Sequence, residues 1–328
     1  MRAIAVSAFR AEPGLVELPK PDPGAGEVRV KVEYAALNPL DWQTLDGRTL
    51  GRQALGRRTA DGTPPGASPH VFPFVLGTDF AGRVDMIGSG DNRFRVGDAV
   101  FGRVTAPPPG RCGAYAEYLC VPQDSPIALV PRDMPLHAAA ALPSAGTTAA
   151  QILSSTAVRS GLSLLVVGAT GGVGSFLTQL AAARGTAVVA AVRGDEGRRM
   201  KALGATATID TTHGPEASAS TVRALYPEGV DALVDLVSTD TASFAAYAAL
   251  LRDGGVAVTT RSVAAPPGVA WSDYRLAPTA ALLDELASAV ARGELEVPID
   301  MELPLEKAPQ ALTQNRAGGA RGKTVFAV

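Results

Sequence analysis

Val28, Val30 and Val32 alternate with Arg29, Lys31 and Glu33 in "EVRVKVEYAAL", a period of two that predicts a half-buried strand. The runs "AGRVDMIGSG" and "RVGDAVFGRV" are short, apolar and closed by Gly and Asp turns, as in a compact β barrel or sandwich. Before them, residues 51–73 are rich in Gly, Pro and Arg without periodicity and predict a long loop. From about residue 160 the rhythm changes. "LSLLVV" is continuously apolar; glycines follow it, then the amphipathic "SFLTQLAAARG". "AVVAAV", a helical "GRRMKALGA", a strand at "ATID", a polar stretch, "DALVDLV", "TASFAAYAALLRDGG" and "VAVTT" continue the alternation. Continuously apolar strands separated by helices predict a parallel sheet covered on both faces. Farther on, Leu282, Leu286, Ala289 and Val290 share one face of a helix that ends near Gly293. The closing "KTVFAV" is too short for a domain and is expected to return to the β-rich part. The fold class read from this pattern is α/β, a β-rich unit beside a doubly wound parallel sheet.

Composition narrows the function classes. A chain of 328 residues, 46% hydrophobic and 19% charged, suits two globular domains. Thirty Lys and Arg against 32 Asp and Glu leave a net charge of −2, which argues against a nucleic-acid partner. Cys112 and Cys120 are the only cysteines, so no disulfide framework is expected. The start lacks a secretory pattern and no apolar run approaches the roughly 20 residues of a membrane span. A cytoplasmic protein without a membrane partner is the expectation.

The stretch "VVGATGGVG" carries the clearest chemistry. A strand at 162–167, a turn at 168–174 and a helix from about 175 would bring Gly168, Ala169, Thr170, Gly171, Gly172, Val173 and Gly174 under a dinucleotide pyrophosphate. Glycines permit the tight turn and the close backbone approach. The helix start offers free N–H groups to the phosphates. The next strand ends in "AAVRGDEGRR", with Arg193 at its tip and Arg198 a turn further on. A guanidinium there suits the 2′-phosphate of NADPH; Asp195 on the ribose would instead favour NADH.

With "ALNPLDW", "FPFVLGTDFAGRVDMIGSG", "FRVGDAVFG", "GAYAEYLCVP", "AAALPSAGTTAAQIL", "LGA", "LLRDGGVAV" and "PLEKAPQAL…GKTVFAV" added in order, the chain resembles the medium-chain dehydrogenase/reductase superfamily. It is most similar to the zinc-free quinone oxidoreductase and enoyl reductase branch. The resemblance implies a GroES-like catalytic domain from residues 1–125 and 273–328, and an inserted Rossmann domain at 126–272. It also implies a cofactor cleft between them and a homodimer. Zinc-dependent members carry Cys where this chain has Asn38 and Gly-His-Glu where it has "GTD" at 77–79. His70, His137 and His213 have no companion ligand in sequence, so no metal is expected.

By the same resemblance the nicotinamide would lie near Asn38, Thr147 and Thr148, with Val237, Ser238, Thr259 and Thr260 bordering the ring. Asn38 and Thr148 would bond the carboxamide or the substrate oxygen. Many relatives have a tyrosine five or eleven residues after the asparagine; here those positions are Gln43 and Thr49. Asp41, Gln43 and Thr44 are the remaining candidates, with Asp41 equally suited to fixing the loop. Asp79 is expected to anchor the domain junction against Arg316 or Arg321, which alternatively reach the cofactor phosphates. Arg48, Arg52, Arg57 and Arg58 either steer an anionic substrate or form a solvated loop. The expected activity is metal-free, NADPH-dependent hydride transfer to a quinone or an activated C=C bond. The alternative is an NADPH-binding protein with redox-neutral tailoring activity, or with a non-catalytic sensing or RNA-binding role.

Overall fold

A computed structural model describes residues 1–46, 72–104 and 113–328. Its apolar second half forms a six-stranded sheet ordered Ala207–Asp210, Ala187–Val192, Ser163–Val167, Val230–Asp235, Leu251–Thr259, Ala270–Asp273. All of its neighbours run parallel. Ser163–Val167 is buried at every position because it has a strand on each side and helices on both faces. The strand order reverses beside it, and the crevice at the carboxyl end of such a switch point is where α/β sheets bind ligands. The glycine turn follows directly.

The polar stretch after Asp210 contains the helix Pro215–Leu225, which buries only Ser218 and Val222. Two inward positions give too faint an apolar stripe to read as a helix. Along Ala280–Ala291 the fully buried residues are Leu283, Leu286 and Ala287. Leu282, Ala289 and Val290 flank that face half-buried, so the stripe is centred one position from the expected one. Gly293, at φ 71°, follows that helix as anticipated.

The β-rich part is a seven-stranded sheet, with Ile299–Pro304, Lys323–Ala327, Glu27–Ala36, Asp79–Ile87, Ala99–Arg103 and Ile127–Leu129 in order and Tyr118–Pro122 also on Glu27–Ala36. A three-stranded sheet of Gly14–Glu17, Arg2–Val6 and Phe74–Val75 lies apart. The C-terminal strand pairs antiparallel with the first long strand, Val325 opposite Ala36, so the tail does return to the β-rich part. Ile127–Leu129 belongs to this sheet, although a boundary at 125/126 would give it to the other unit. Arg29, expected to face solvent, is 8% exposed and bonded to Asp85 at 2.7 Å and Asp22 at 2.9 Å. The register shift there lies on the partner strand, where Asp85 is the extra residue, so Val28, Val30 and Val32 keep their alternation and Arg29 is covered on the opposite face by these acids and the Tyr118 ring. Among the described residues no helix is long and apolar enough to cross a membrane.

Candidate active site

Asn38 ends the long first strand region and caps the helix Pro39–Leu45, its φ/ψ of −130°/150° still extended. Proline at the first helical position and Asp41 at the third complete the start signal. The Asp41 carboxylate reaches back and accepts the Asn38 backbone N–H at 2.8 Å. Tyr115 donates its hydroxyl to the same oxygen at 2.8 Å. Burial raises the Asp41 carboxyl to about 6, while those two donors pull the other way. Burial and Asp41 push the Tyr115 phenol well above its ordinary range. Asp41 is therefore turned to the protein's own donors and forms the frame beneath Asn38. Tyr115 passes over Gly77, at φ 89°, where a Cβ would stand 2.3 Å from the ring.

The Asn38 side chain has partners beyond its own helix. Its Oδ1 accepts from Lys323 Nζ at 2.6 Å, and among the described residues its Nδ2 has only long contacts, 3.4 Å to the Thr78 hydroxyl and 3.5 Å to the Ala36 carbonyl. Gln43 is half-buried, and the Thr44 hydroxyl donates to the Leu40 carbonyl at 2.8 Å within the helix.

Asp79, wholly buried, accepts the Ser144 N–H at 2.9 Å and its hydroxyl at 2.6 Å. The arginine beside it is Arg103, which donates to Ser144 Oγ at 3.0 Å and lies 3.9 Å from Asp79. Arg316 instead pairs with Asp46 at 3.0 Å, and Arg321 pairs with Glu196. Asp79 is thus held by a serine at a helix start with Arg103 alongside, and not by the C-terminal arginines. Ser144→Ala removes a buried donor to a carboxylate and strands Arg103; we expect a loss of about 1–3 kcal/mol, read as a lower melting temperature.

That helix, Pro143–Ser155, carries Thr147 and Thr148. Among the described residues the buried Thr147 hydroxyl has no hydrogen-bond partner. Thr148, 8% exposed, lies against Tyr274, whose phenol burial raises to about 12.

The glycine turn is crowded by backbone. Gly168 sits at φ 84°, and a Cβ there would come 2.4 Å from Val237 Cγ2. A Cβ on Gly174 would come 2.3 Å from the Gly168 carbonyl. Ala169 is buried, while Thr170, Gly171, Gly172 and Val173 remain half-exposed at the start of the helix Gly172–Ala183. Gly171 offers no side-chain cap, so first-turn N–H groups stay without an intrahelical partner. Asp235 Oδ1 accepts the N–H groups of Val237 and Ser238, each at 2.9 Å, which fixes Val237 over Gly168. Ser238 and Thr259 are buried; Val237 is exposed. The arrangement fits a dinucleotide: free amides at a glycine-lined helix start, a buried hydroxyl without a partner among the described residues, and Asn38 joined to the same place by Lys323, whose stem lies against Gly172.

Arg193 and Arg198 are both exposed. The arginine laid on the glycine turn is Arg199, which donates to the Thr170 carbonyl at 3.3 Å and Ser175 Oγ at 3.2 Å. Glu196, 6% exposed, holds Arg199 at 3.3 Å and Arg321 as well. Lys323, Tyr115, Ser144, Glu196 and Arg199 were not singled out from the sequence. Only the lysine left a signal, a cation opening an otherwise apolar strand. Among the described residues no three His, Cys, Asp or Glu gather as metal ligands. The arginines at 48, 52, 57 and 58, together with Thr49, His70 and Cys112, lie outside the described residues.

Comparison with known proteins agrees with this architecture. The alcohol dehydrogenase GroES-like domain family matches residues 24–132, and the zinc-binding dehydrogenase family matches residues 203–326. The 2-methylene-furan-3-one reductase of Solanum lycopersicum is 30% identical over 315 residues, covering 93% of this chain and 73% of that protein. The quinone oxidoreductase from Coxiella burnetii is 28% identical, with a TM-score of 0.83 over 100% of this chain and 99% of that one. A mycobacterial protein complexed with NADPH is also 28% identical, with a TM-score of 0.82 and complete coverage of both chains. The chain belongs to the medium-chain dehydrogenase/reductase superfamily, in its quinone oxidoreductase branch.

Proposed function

We propose that the protein is an NADPH-dependent reductase of quinones or of C=C bonds conjugated to a carbonyl. The observation that carries this reading is the meeting of the glycine turn and the Asn38 helix start through Lys323, which touches both. First-turn amides from Gly172 to Gly174 would hold the pyrophosphate. Thr147, Thr148, Ser238 and Thr259 would hold the nicotinamide end. A reduced nicotinamide bound there supplies hydride. Asn38 Nδ2 and the threonine hydroxyls then serve as the donors for the acceptor oxygen, and the chemistry proposed needs no zinc. Two relatives above act, by name, on an exocyclic enone and on quinones. The division into a GroES-like part from both ends and an inserted cofactor part is proposed as well, its first boundary moved past Leu129 by the pairing of that strand.

The choice of NADPH rests on charge. Arg193 is exposed at the strand tip, and the buried carboxylate that follows, Glu196, is engaged by two guanidiniums. A mycobacterial neighbour is complexed with NADPH. Following loss of reduced-nicotinamide absorbance with NADPH and NADH, against quinones, enones and enoyl thioesters, tests the function. Faster NADPH oxidation with one acceptor class is expected; NADPH binding with no oxidation by any acceptor would refute it. Arg193→Ala is expected to lower kcat/KM for NADPH by about 10- to 100-fold while leaving NADH almost unchanged, because a charge-assisted bond is worth about 1.5–3 kcal/mol. An equal loss with both cofactors would remove Arg193 from the 2′-phosphate.

A further inference from the structure

Lys323 is 3% exposed at the start of the C-terminal strand. A buried ammonium is costly unless its hydrogens are used. Two of them are: Nζ donates to the Leu37 carbonyl at 2.7 Å and to Asn38 Oδ1 at 2.6 Å. No described carboxylate lies within ion-pair distance of it; Asp41 and Asp79 act on it from farther away. Burial accordingly lowers its proton affinity, against the pull of those two acids. The lysine stem lies against Gly172, where a Cβ would stand 2.8 Å from Lys323 Cδ. One side chain therefore touches both the first residue of the dinucleotide helix and the asparagine that faces it.

The contact has a consequence for Asn38. An ammonium at 2.6 Å excludes the flipped amide, because two donors would then face each other. Oδ1 is turned to the lysine, so the group Asn38 has left for the site is the Nδ2 donor. Its Nδ2 contacts, at 3.4 and 3.5 Å, are too long to use up those hydrogens. The cation also withdraws electron density through the planar amide and strengthens Nδ2–H as a donor.

We propose that Lys323 is a positioning residue for the reduction: it locks Asn38 as a pure donor and lends that donor its charge, so that the acceptor oxygen is stabilised as it becomes anionic. The inference rests on the reductase reading. With hydride delivered to the β-carbon of an enone, the C=C electron pair shifts toward the carbonyl, and the oxygen takes up the negative charge. The enolate then takes a proton from water at its α-carbon, completing a two-electron, two-hydrogen reduction. No side-chain acid is needed for this route, which accounts for a chain with Gln43 where many relatives place a tyrosine.

The test combines turnover with a bound phenol. Lys323→Met and Lys323→Gln, each checked for NADPH affinity by fluorescence and for folding by melting, are expected to keep cofactor binding within about threefold. Both should lose about 10- to 100-fold in kcat. Gln supplies a donor without charge and guards against a Met variant that fails to fold. In the Asn38→Ala background neither change is expected to cost more, since a residue acting through Asn38 has nothing left to act on. p-Nitrophenol titrated into the NADP⁺-loaded wild type is expected to bind as its coloured anion, and to bind neutral in both Lys323 variants. Losses that add to Asn38→Ala, or cofactor affinity falling while kcat holds, would overturn the proposal and make Lys323 a phosphate counter-charge. Phenol bound neutral by the wild type would overturn it as well. A wild type that reduces nothing yet binds the phenolate through Lys323 would end the reductase reading and retain the anion-stabilising role.

Discussion

Gly174→Ala is expected to weaken nicotinamide-cofactor binding by about 10- to 100-fold and to lower the melting temperature by several degrees. Two effects oppose each other at this position. Alanine in a helix is worth about 1 kcal/mol more than glycine. Against that, the new Cβ would stand 2.3 Å from the Gly168 carbonyl and 2.6 Å from Ala169 Cα, both backbone atoms that no rotamer change can move. Overpacking of that kind costs about 1–3 kcal/mol, so the clash wins. Relief comes only by opening the turn, which displaces the amides meant for the pyrophosphate. Gly171→Ala supplies the contrast. Its φ/ψ of −71°/175° suits any residue, and its Cβ would meet the Gly168 carbonyl at an ordinary 3.5 Å. That variant should melt like the parent, and a loss of cofactor affinity in it would locate the ligand over Gly171 itself. Differential scanning fluorimetry with and without cofactor reads both. A Gly174→Ala protein with unchanged melting and binding would show that the turn has slack the geometry denies.

What the sequence reveals of this site follows from how far apart its parts lie. "VVGATGGVG" is contiguous, so strand, turn and helix start are legible together, and the structure places them within a few positions of expectation. Asn38 and Asp41 share one helix start and are legible as a pair. The framework beneath them is not. Tyr115 reaches Asp41 across 74 positions, Ser144 reaches Asp79 across 65, and Lys323 reaches Asn38 across 285. No local period encodes such partners; the register of Lys323–Ala327 on Glu27–Ala36 does. Arg198 and Arg199 fail for a different reason. The segment reads as cationic, but the helix Gly197–Ala202 decides by its phase which guanidinium meets the turn, and one residue is about 100° of rotation. Arg29 is buried by Asp85, Asp22 and the Tyr118 ring, tertiary partners that the alternation of its strand does not encode.

The same framework predicts an acid-side stability response. Folded Asp41 titrates near 6, raised by burial from the 3.8 of an ordinary aspartate. Between those two values the folded protein binds more protons at this group than the unfolded chain does. Its contribution is therefore stabilising as pH falls and is lost as pH rises through about 6. The gap from 3.8 to about 6 corresponds to about 3 kcal/mol. Asp41→Asn removes the titration while keeping the shape. Because the other ionisable groups are common to both proteins, their titrations largely cancel in the difference. The wild type should thus gain on Asp41→Asn as pH falls from 7 to 4, most steeply between 6 and 4, by several degrees of melting temperature. The absolute order at pH 7 matters less than the slope, since the new amide offers Tyr115 and the Asn38 N–H one acceptor in place of a carboxylate. Parallel melting curves across that range would mean that Asp41 keeps an ordinary carboxyl in the fold, and that water reaches the floor of the site. A difference that grows toward acid would establish the dry, low-dielectric floor on which the Lys323–Asn38 contact depends.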